Sequence, residues 1–450
     1  MNYLSTILKY LGYSINFALQ IIVHLAMRQN LLTIFLILLL NISLNLYAQN
    51  KKEAIKTIEK LCSKEFAGRG YTSDGDKKAA KFIAERLKKY HVKPFGRDYY
   101  QPFTIPVNTF PGNMKVALNG ITLIPAYDYL VNSKSCRING VFPVIIMDSS
   151  LINYPDKMQH LDKEELSQSF LLIDTSHVSN KGFKDAFQGI VESNYFKARG
   201  IILIEPKELM HSPSMVQQNF PRIRITRNAL PNHLKEIELY IDNEFISNYQ
   251  TQNVAGFIQG RVDTCIVFTA HYDHLGEMGK GVYFPGANDN ASGVSMVLDL
   301  ASYYSKKENK PEYSMVFLFF SAEEIGLVGS SYFVSNPLFP LSKVKMLVNL
   351  DLVGSGDKGI TIVNGSVYKK EFDKVVEINK EKNYLPNVVI RGPAPNSDHF
   401  PFYDKGVKSF FIYTMGEYKE YHSVFDKPDL LPLNKYNELF RLLLDFVNTF

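Results

Sequence analysis

His271 and Asp273 in AHYDHLG, Asp289 in GANDNASG, Glu323 and Glu324 in FFSAEEIGLVGS, Asp351 in NLDLVG and His422 in EYHSVFDKP fall in five short segments between positions 271 and 422. An imidazole near each end of the set, with carboxylates between, is the donor mixture that Zn²⁺ takes. A hydrolytic zinc also keeps one position open for water. The pattern reads as a metallohydrolase.

Each segment carries part of that reading. Ile266 to Phe268 is an apolar strand that delivers His271 just past its carboxyl end, where open α/β sheets place their ligands. Asp273 is the carboxylate expected to orient the His271 imidazole rather than to bind metal. Taken alone, the pair would read as a satisfied surface contact. Gly286 to Gly293 is a Gly- and Asn-rich loop running into a helix over Val294 to Tyr304. Its small residues let the backbone crowd a metal pair, and Asp289 offers one oxygen to each ion, although an Asn/Gly turn with a helix cap would look the same.

Met315 to Phe320 is a buried strand that ends in two adjacent acids. Adjacent carboxylates resist burial, and a division of labour removes the conflict: Glu324 coordinates zinc while Glu323 takes the proton of the attacking water and returns it to the leaving amine. Met346 to Leu350 repeats the pattern and delivers Asp351. His422 is the second imidazole ligand. Tyr421 beside it is placed to donate its hydroxyl to an oxyanion, with a plain packed tyrosine as the alternative. Asp398 and His399 in NSDH are read as residues of the site wall, and Arg391 as a solvated loop arginine, the one cation near the motifs that a terminal carboxylate would use.

These motifs need a scaffold. At 450 residues, 46% hydrophobic and 21% charged, the chain is globular and too long for one ordinary core. The predicted fold is α/β, a mixed central sheet flanked by helices, with a β-rich insert. Residues 51–110 form the first part of the core, 111–243 the insert and 244–450 the second part with the metal site. Lys51 to Tyr90 carries two helical patterns around the loop Phe66 to Gly70, the second with Ala79, Ala80, Ile83, Ala84 and Leu87 on one face. The insert shows short runs such as Val144 to Met147, Phe170 to Ile173, Ile201 to Ile204 and Ile223 to Ile225. Its acid pair Glu164-Glu165 is a solvated face.

The net charge of +5 is small for this length and no Lys/Arg cluster stands out, so neither nucleic acid nor an anionic membrane surface is an obvious partner, and a membrane is expected only if the N-terminal segment is retained. Peptides are the expected partners, and the oligomeric state is not readable. Residues 1–48 are expected to be a secretory signal: Arg28, the apolar run Leu31 to Leu46, then Tyr47-Ala48-Gln49 with cleavage after Ala48. Met27 would begin such a signal on its own, and a retained membrane anchor is the competing reading. Export to the periplasm or beyond implies an oxidising compartment. Yet Cys62, Cys136 and Cys265 allow at most one disulfide, and all three read as structural cysteines.

Residues 253–430 resemble the di-zinc aminopeptidase family that includes bacterial leucyl aminopeptidases, glutamate carboxypeptidases, the transferrin receptor and glutaminyl cyclases. AHYDHLG, GANDNASG, FFSAEEIGLVGS, NLDLVG, SDHFPF and YHSVFDKPD stand in the family's order. AGRGYTSDGDKKAAKFIAERLKKY is similar to its opening segment, and the insert resembles a protease-associated domain, most closely over Ser169 to Pro206 and Pro221 to Asp242. The resemblance implies two zinc ions, one held by His271 and Asp351, the other by Glu324 and His422, with Asp289 bridging and Glu323 as general base. It also implies a cis peptide at Asp289-Asn290. Removal of N-terminal residues from peptides is the implied reaction, with glutaminyl-peptide cyclisation or carboxypeptidase action as alternatives. Cyclases of the family place tryptophans in the pocket, one just before the final histidine; this chain has no Trp and carries Tyr421 there.

Overall fold

The computed structural model describes residues 51–147, 163–175, 188–205 and 208–450. The expected signal or membrane segment over residues 1–48 lies outside the described residues, among which no helix is long and apolar enough to cross a membrane. Within the unit Ala54–Phe450, the described residues form two eight-stranded sheets.

The chain enters through β1 (Tyr100–Thr109) and then builds the second sheet: β2 (Met114–Leu118), β3 (Ile121–Thr122), β4 (Tyr129–Val131), β5 (Ile138–Met147), β6 (Phe170–Ile173), β7 (Gly200–Glu205), β8 (Arg222–Thr226) and β9 (Glu236–Ile241). It returns through β10 (Glu244–Ile258) to β11 (Val262–His271), β12 (Tyr313–Phe320), β13 (Val344–Leu350), β14 (Gly359–Val363), β15 (Val388–Ile390) and β16 (Ser409–Met415). The first sheet has the order β1-β10-β12-β11-β13-β16-β14-β15 and the second β3-β2-β9-β5-β6-β7-β8-β4. Both mix parallel and antiparallel neighbours, as the mixed α/β reading expects.

The middle of the first sheet positions the site. β12, β11, β13 and β16 are mutually parallel, so their carboxyl ends lie along one edge. Alternate side chains of these strands enter two separate cores. Ile266, Phe268, Phe317, Met346 and Val348 pack on one face with the helices Gly75–Lys89 and Gly293–Tyr304; Val267, Val316, Leu318 and Leu347 pack on the other. A strand covered on both faces is largely apolar, which is why these segments read as hydrophobic runs; the buried Thr269 and Asn349 within them bond to each other at 2.6 Å. The first acid or histidine after each run sits at the sheet's edge, and there His271 and Asp351 are found.

The second sheet has its own apolar core, which continues into Leu275, Met278, Phe284 and Val424 from loops beside the strand ends. Glu164 and Glu165 lie on the exposed side of a short helix, as expected of a solvated pair. Cys62, Cys136 and Cys265 are free thiols, and burial pushes Cys62 and Cys265 up to about 12.

The helix Gly75–Lys89 is tied to the sheet through Asp76, which accepts hydrogen bonds from the Tyr249 hydroxyl at 2.6 Å and the Thr251 hydroxyl at 2.8 Å. Burial outweighs these bonds and pushes the Asp76 carboxyl from 3.8 up to about 6. A carboxyl with a raised folded pKa binds its proton more tightly in the folded state. Its contribution to stability is therefore greatest below the unfolded value and declines as pH rises from about 4 to about 6. Asp76→Asn is neutral throughout and should remove that decline. In paired urea-unfolding series the variant should gain on the wild type across this window, by up to about 3 kcal/mol, with no further change above it. A difference independent of pH would show that Asp76 is ionised in the fold.

Candidate metal centre

His271 is the last residue of β11 and lies opposite Phe320 at the end of β12. Its Nδ1 is 3.2 Å from the backbone carbonyl of Asp273. A carbonyl only accepts, so this contact places a proton on Nδ1 and turns Nε2 toward the carboxylates. The Asp273 carboxylate was expected to do this orienting, but it stands 3.8 Å from Nδ1. It accepts instead from the Tyr71 hydroxyl at 3.0 Å and from the backbone N–H groups of Glu323 and Glu324 at 3.2 and 3.4 Å. One residue thus sets the imidazole through its main chain and the adjacent-acid turn through its side chain.

The acids converge on the two imidazoles. His271 Nε2 lies 3.3 Å from Asp289 Oδ1, 3.4 Å from Asp351 Oδ1 and 4.0 Å from Glu323 Oε2. His422 Nε2 lies 3.1 Å from Asp289 Oδ2 and 3.0 Å from Glu324 Oε2. Asp289 therefore turns one oxygen to each histidine. Two donor groups have the mutual spacing to hold a metal ion, His271 with Glu323 and Asp351, and His271 with Asp289 and Glu324. Ser397 donates to Asp351 Oδ2 at 3.0 Å, while Asp351 Oδ1, facing the centre, is buried without a hydrogen-bond partner.

Charge tells the same story. Burial disfavours the charged His271 ring, yet Glu323 and Asp351 overcome it and hold its pKa well above the imidazole range. For His422, burial is again outweighed, here by Glu324 and Asp289, which raise it to about 11. Burial also works against the charged Asp289, but its bonds to His271 and His422 keep it well below the usual carboxylate range. Burial, followed by the field of Asp398, Glu324 and Asp351, drives Glu323 well above that range. Four carboxylates packed around two imidazoles demand positive charge at their centre, and nitrogen and oxygen donors at this spacing suit zinc.

The group opens into a cavity of about 350 Å³ whose wall includes Leu352, Arg391, Asn396, Tyr413 and Tyr421. The Tyr421 ring stacks on His422 at a centroid distance of 3.9 Å. Arg391 was read as a solvated loop residue; it lines this cavity instead, its Nη1 donating to the Tyr413 hydroxyl at 3.2 Å. Asp398 and His399 do not line it. Both are fully buried behind it, and burial raises Asp398 to about 7. His399 packs against Phe411 with ring centroids 5.4 Å apart, and burial lowers it to about 4, which keeps the ring neutral.

Three further residues support the centre without having been singled out in the sequence. Arg69, fully buried in the AGRG loop, donates to the carbonyls of Tyr272, Pro285, Gly286 and Asp289. His274 Nδ1 lies 2.7 Å from Glu324 Oε1. Asp426 accepts from the backbone N–H groups of Asn288 and Asp289 and from the Tyr418 hydroxyl. Each lies inside a quoted motif, which was the available signal. The Asp289–Asn290 peptide is cis. From the second sheet's side, the His211 N–H donates to the His422 carbonyl at 3.0 Å.

Residues 253–447 match the model of peptidase family M28. Aminopeptidase YwaD of Bacillus subtilis is 28% identical over 191 residues, which are 41% of this chain and 40% of that protein. Leupeptin-inactivating enzyme 1 of Streptomyces exfoliatus is 30% identical over 151 residues, 32% of each chain. The matched stretches thus span two fifths or less of these relatives. In fold, the chain is similar to a peptidase M28 precursor from Shewanella amazonensis, with a TM-score of 0.65 at 18% identity over 90% of this chain and 96% of that one. It is also similar to a zinc aminopeptidase from Bacillus subtilis, with a TM-score of 0.64 at 20% identity over 88% and 94%. The match to peptidase family M28 thus covers residues 253–447, the part of the chain that carries the donors of the metal centre.

Proposed function

We propose that the chain is an exported zinc aminopeptidase that removes N-terminal residues from peptides, with two zinc ions at the carboxyl edge of the first sheet. The observation that carries this reading is Asp289, whose two oxygens face two different imidazoles at 3.3 and 3.1 Å, as a bridging carboxylate must. His271 and Asp351 would hold one ion, Glu324 and His422 the other. Zinc bound there supplies Lewis acidity toward the scissile carbonyl and lowers the pKa of water toward neutrality.

The chain's own groups do the rest. Glu323, a member of one donor group yet the acid farthest from an imidazole nitrogen, has no side-chain hydrogen bond among the described residues; it takes the proton of the attacking water, then returns it to the leaving amine. Tyr421, on the cavity wall, donates its hydroxyl to the developing oxyanion. The carboxylates around the centre receive the substrate's ammonium group. The second sheet, in this reading a protease-associated-like domain, walls the site through His211.

The test is a panel of chromogenic aminoacyl substrates beside an N-terminal glutaminyl peptide, with and without chelator, together with elemental analysis. Release of the N-terminal residue, lost on chelation and restored by zinc, with close to two zincs per chain, is expected. Cyclisation of the glutaminyl peptide without hydrolysis, or hydrolysis indifferent to chelator, would refute the proposal.

A further inference from the structure

Arg391 is the charged residue of the cavity wall that the proposed reaction does not use. It follows β15, and its main chain is fixed on both sides: its N–H donates to the Ile362 carbonyl at 3.0 Å, and its carbonyl accepts from Ser366 N–H at 3.3 Å. The guanidinium is exposed toward the cavity and is braced by the Tyr413 hydroxyl at 3.2 Å. It shares the cavity with four carboxylates, yet forms no ion pair with them. Tyr413 takes a single N–H, and among the described residues most of the five-donor planar fork is unengaged. A cation recruited to neutralise the acids would have closed onto one of them. This one is anchored apart from them, in a geometry that matches a carboxylate through paired N–H donors.

We propose that Arg391, braced by Tyr413, binds a carboxylate of the substrate, so that the preferred substrates are short peptides whose own carboxylate reaches it while the N-terminal peptide bond lies at the metal centre. This rests on the aminopeptidase reading. The cavity of about 350 Å³ is at the small end for a ligand site, which suits a dipeptide with a free C-terminus. An acidic side chain following the scissile bond presents the same chemistry.

The test compares alanyl-alanine with alanyl-alaninamide, and alanyl-glutamic acid amide with alanyl-glutamine amide, on the full chain loaded with zinc. The wild type should favour a carboxylate-bearing member by about tenfold to a hundredfold in kcat/KM, mainly through KM. The first pair reports a terminal carboxylate, the second a side-chain one. In Arg391→Gln the ratio should collapse toward one, and in Arg391→Lys it should be partly restored. Calorimetric binding of the reduced-bond analogue of alanyl-alanine and of its amide should show the same ratio in Kd. That arm stands even if the wild type hydrolyses neither peptide, in which case the aminopeptidase reading alone fails. No carboxylate preference in the wild type, a ratio preserved in Arg391→Gln, or an equal loss for acid and amide would overturn the proposal. If Arg391→Gln does not fold, Tyr413→Phe, which removes the brace, should lower the same ratio.

Discussion

Glu323→Gln should lower kcat by about a hundredfold to ten-thousandfold while the zinc content and KM stay close to wild type. The expectation follows from how Glu323 differs from its neighbours. Glu324, Asp289 and Asp351 approach an imidazole nitrogen at 3.0 to 3.4 Å, whereas Glu323 comes no nearer than 4.0 Å. Its side chain is also the most accessible of the four, 13% exposed against 3%, 4% and 9% for Glu324, Asp289 and Asp351. Its backbone is fixed by the Asp273 carboxylate. A carboxylate that is positioned through its main chain, faces the cavity and is engaged by no donor has the freedom to move a proton. Glutamine keeps the shape and removes the basicity. Glu324→Gln is the control: it alters a carboxylate whose Oε1 meets His274 and whose Oε2 meets His422, and zinc should be lost with activity. Elemental analysis beside steady-state kinetics separates the cases. Unchanged turnover in Glu323→Gln would place the base elsewhere, and loss of metal would make Glu323 a ligand.

The residues at the strand ends were legible because local pattern and tertiary position coincide there. The inner stretches of β11, β12 and β13 are buried on both faces, so they are largely apolar, and the first acid or histidine after each stretch is at the sheet's edge. Interactions whose two halves are far apart in the chain were not legible. Tyr71 and Asp273 are 202 residues apart, and His274 and Glu324 are 50 apart. No periodicity records such pairings. Asp273 illustrates a second limit. Its place beside His271 was evident, but whether the imidazole meets its carbonyl or its carboxylate depends on a turn geometry that residue types alone do not specify. Arg391 shows a third, since a loop arginine looks the same from the sequence whether its fork faces solvent or a cavity; the contacts at Ile362, Ser366 and Tyr413 decide it.

Arg69 makes the longest of these links, and Arg69→Met should both destabilise the fold and reduce zinc retention. The side chain is fully buried and forms no ion pair among the described residues. Its charge is balanced by carbonyl dipoles: Tyr272 at 2.9 Å, Leu61 at 3.3 Å, Pro285 at 2.6 Å, Gly286 at 2.8 Å and Asp289 at 3.1 Å. The loop that carries it is held in place by close backbone packing, since a Cβ at Gly70 would sit 2.3 Å from the Cα of Gly276. Methionine fills nearly the same volume, so the change leaves buried carbonyls without donors rather than a cavity. Such groups are individually worth about 1 to 3 kcal/mol and do not add fully, which gives about 3 to 5 kcal/mol for the set. The loss falls on both chain segments that carry His271 and Asp289, the pair whose spacing defines the metal centre. Denaturant unfolding should show the drop with the slope unchanged, and elemental analysis after dialysis should find less zinc than in the wild type. Arg69→Lys, with three donors on a single nitrogen, should fall between the two. A methionine variant that matches the wild type in both measurements would mean that Asp426 and the sheet hold the 285–289 loop without Arg69, and that the guanidinium is a passenger in the core.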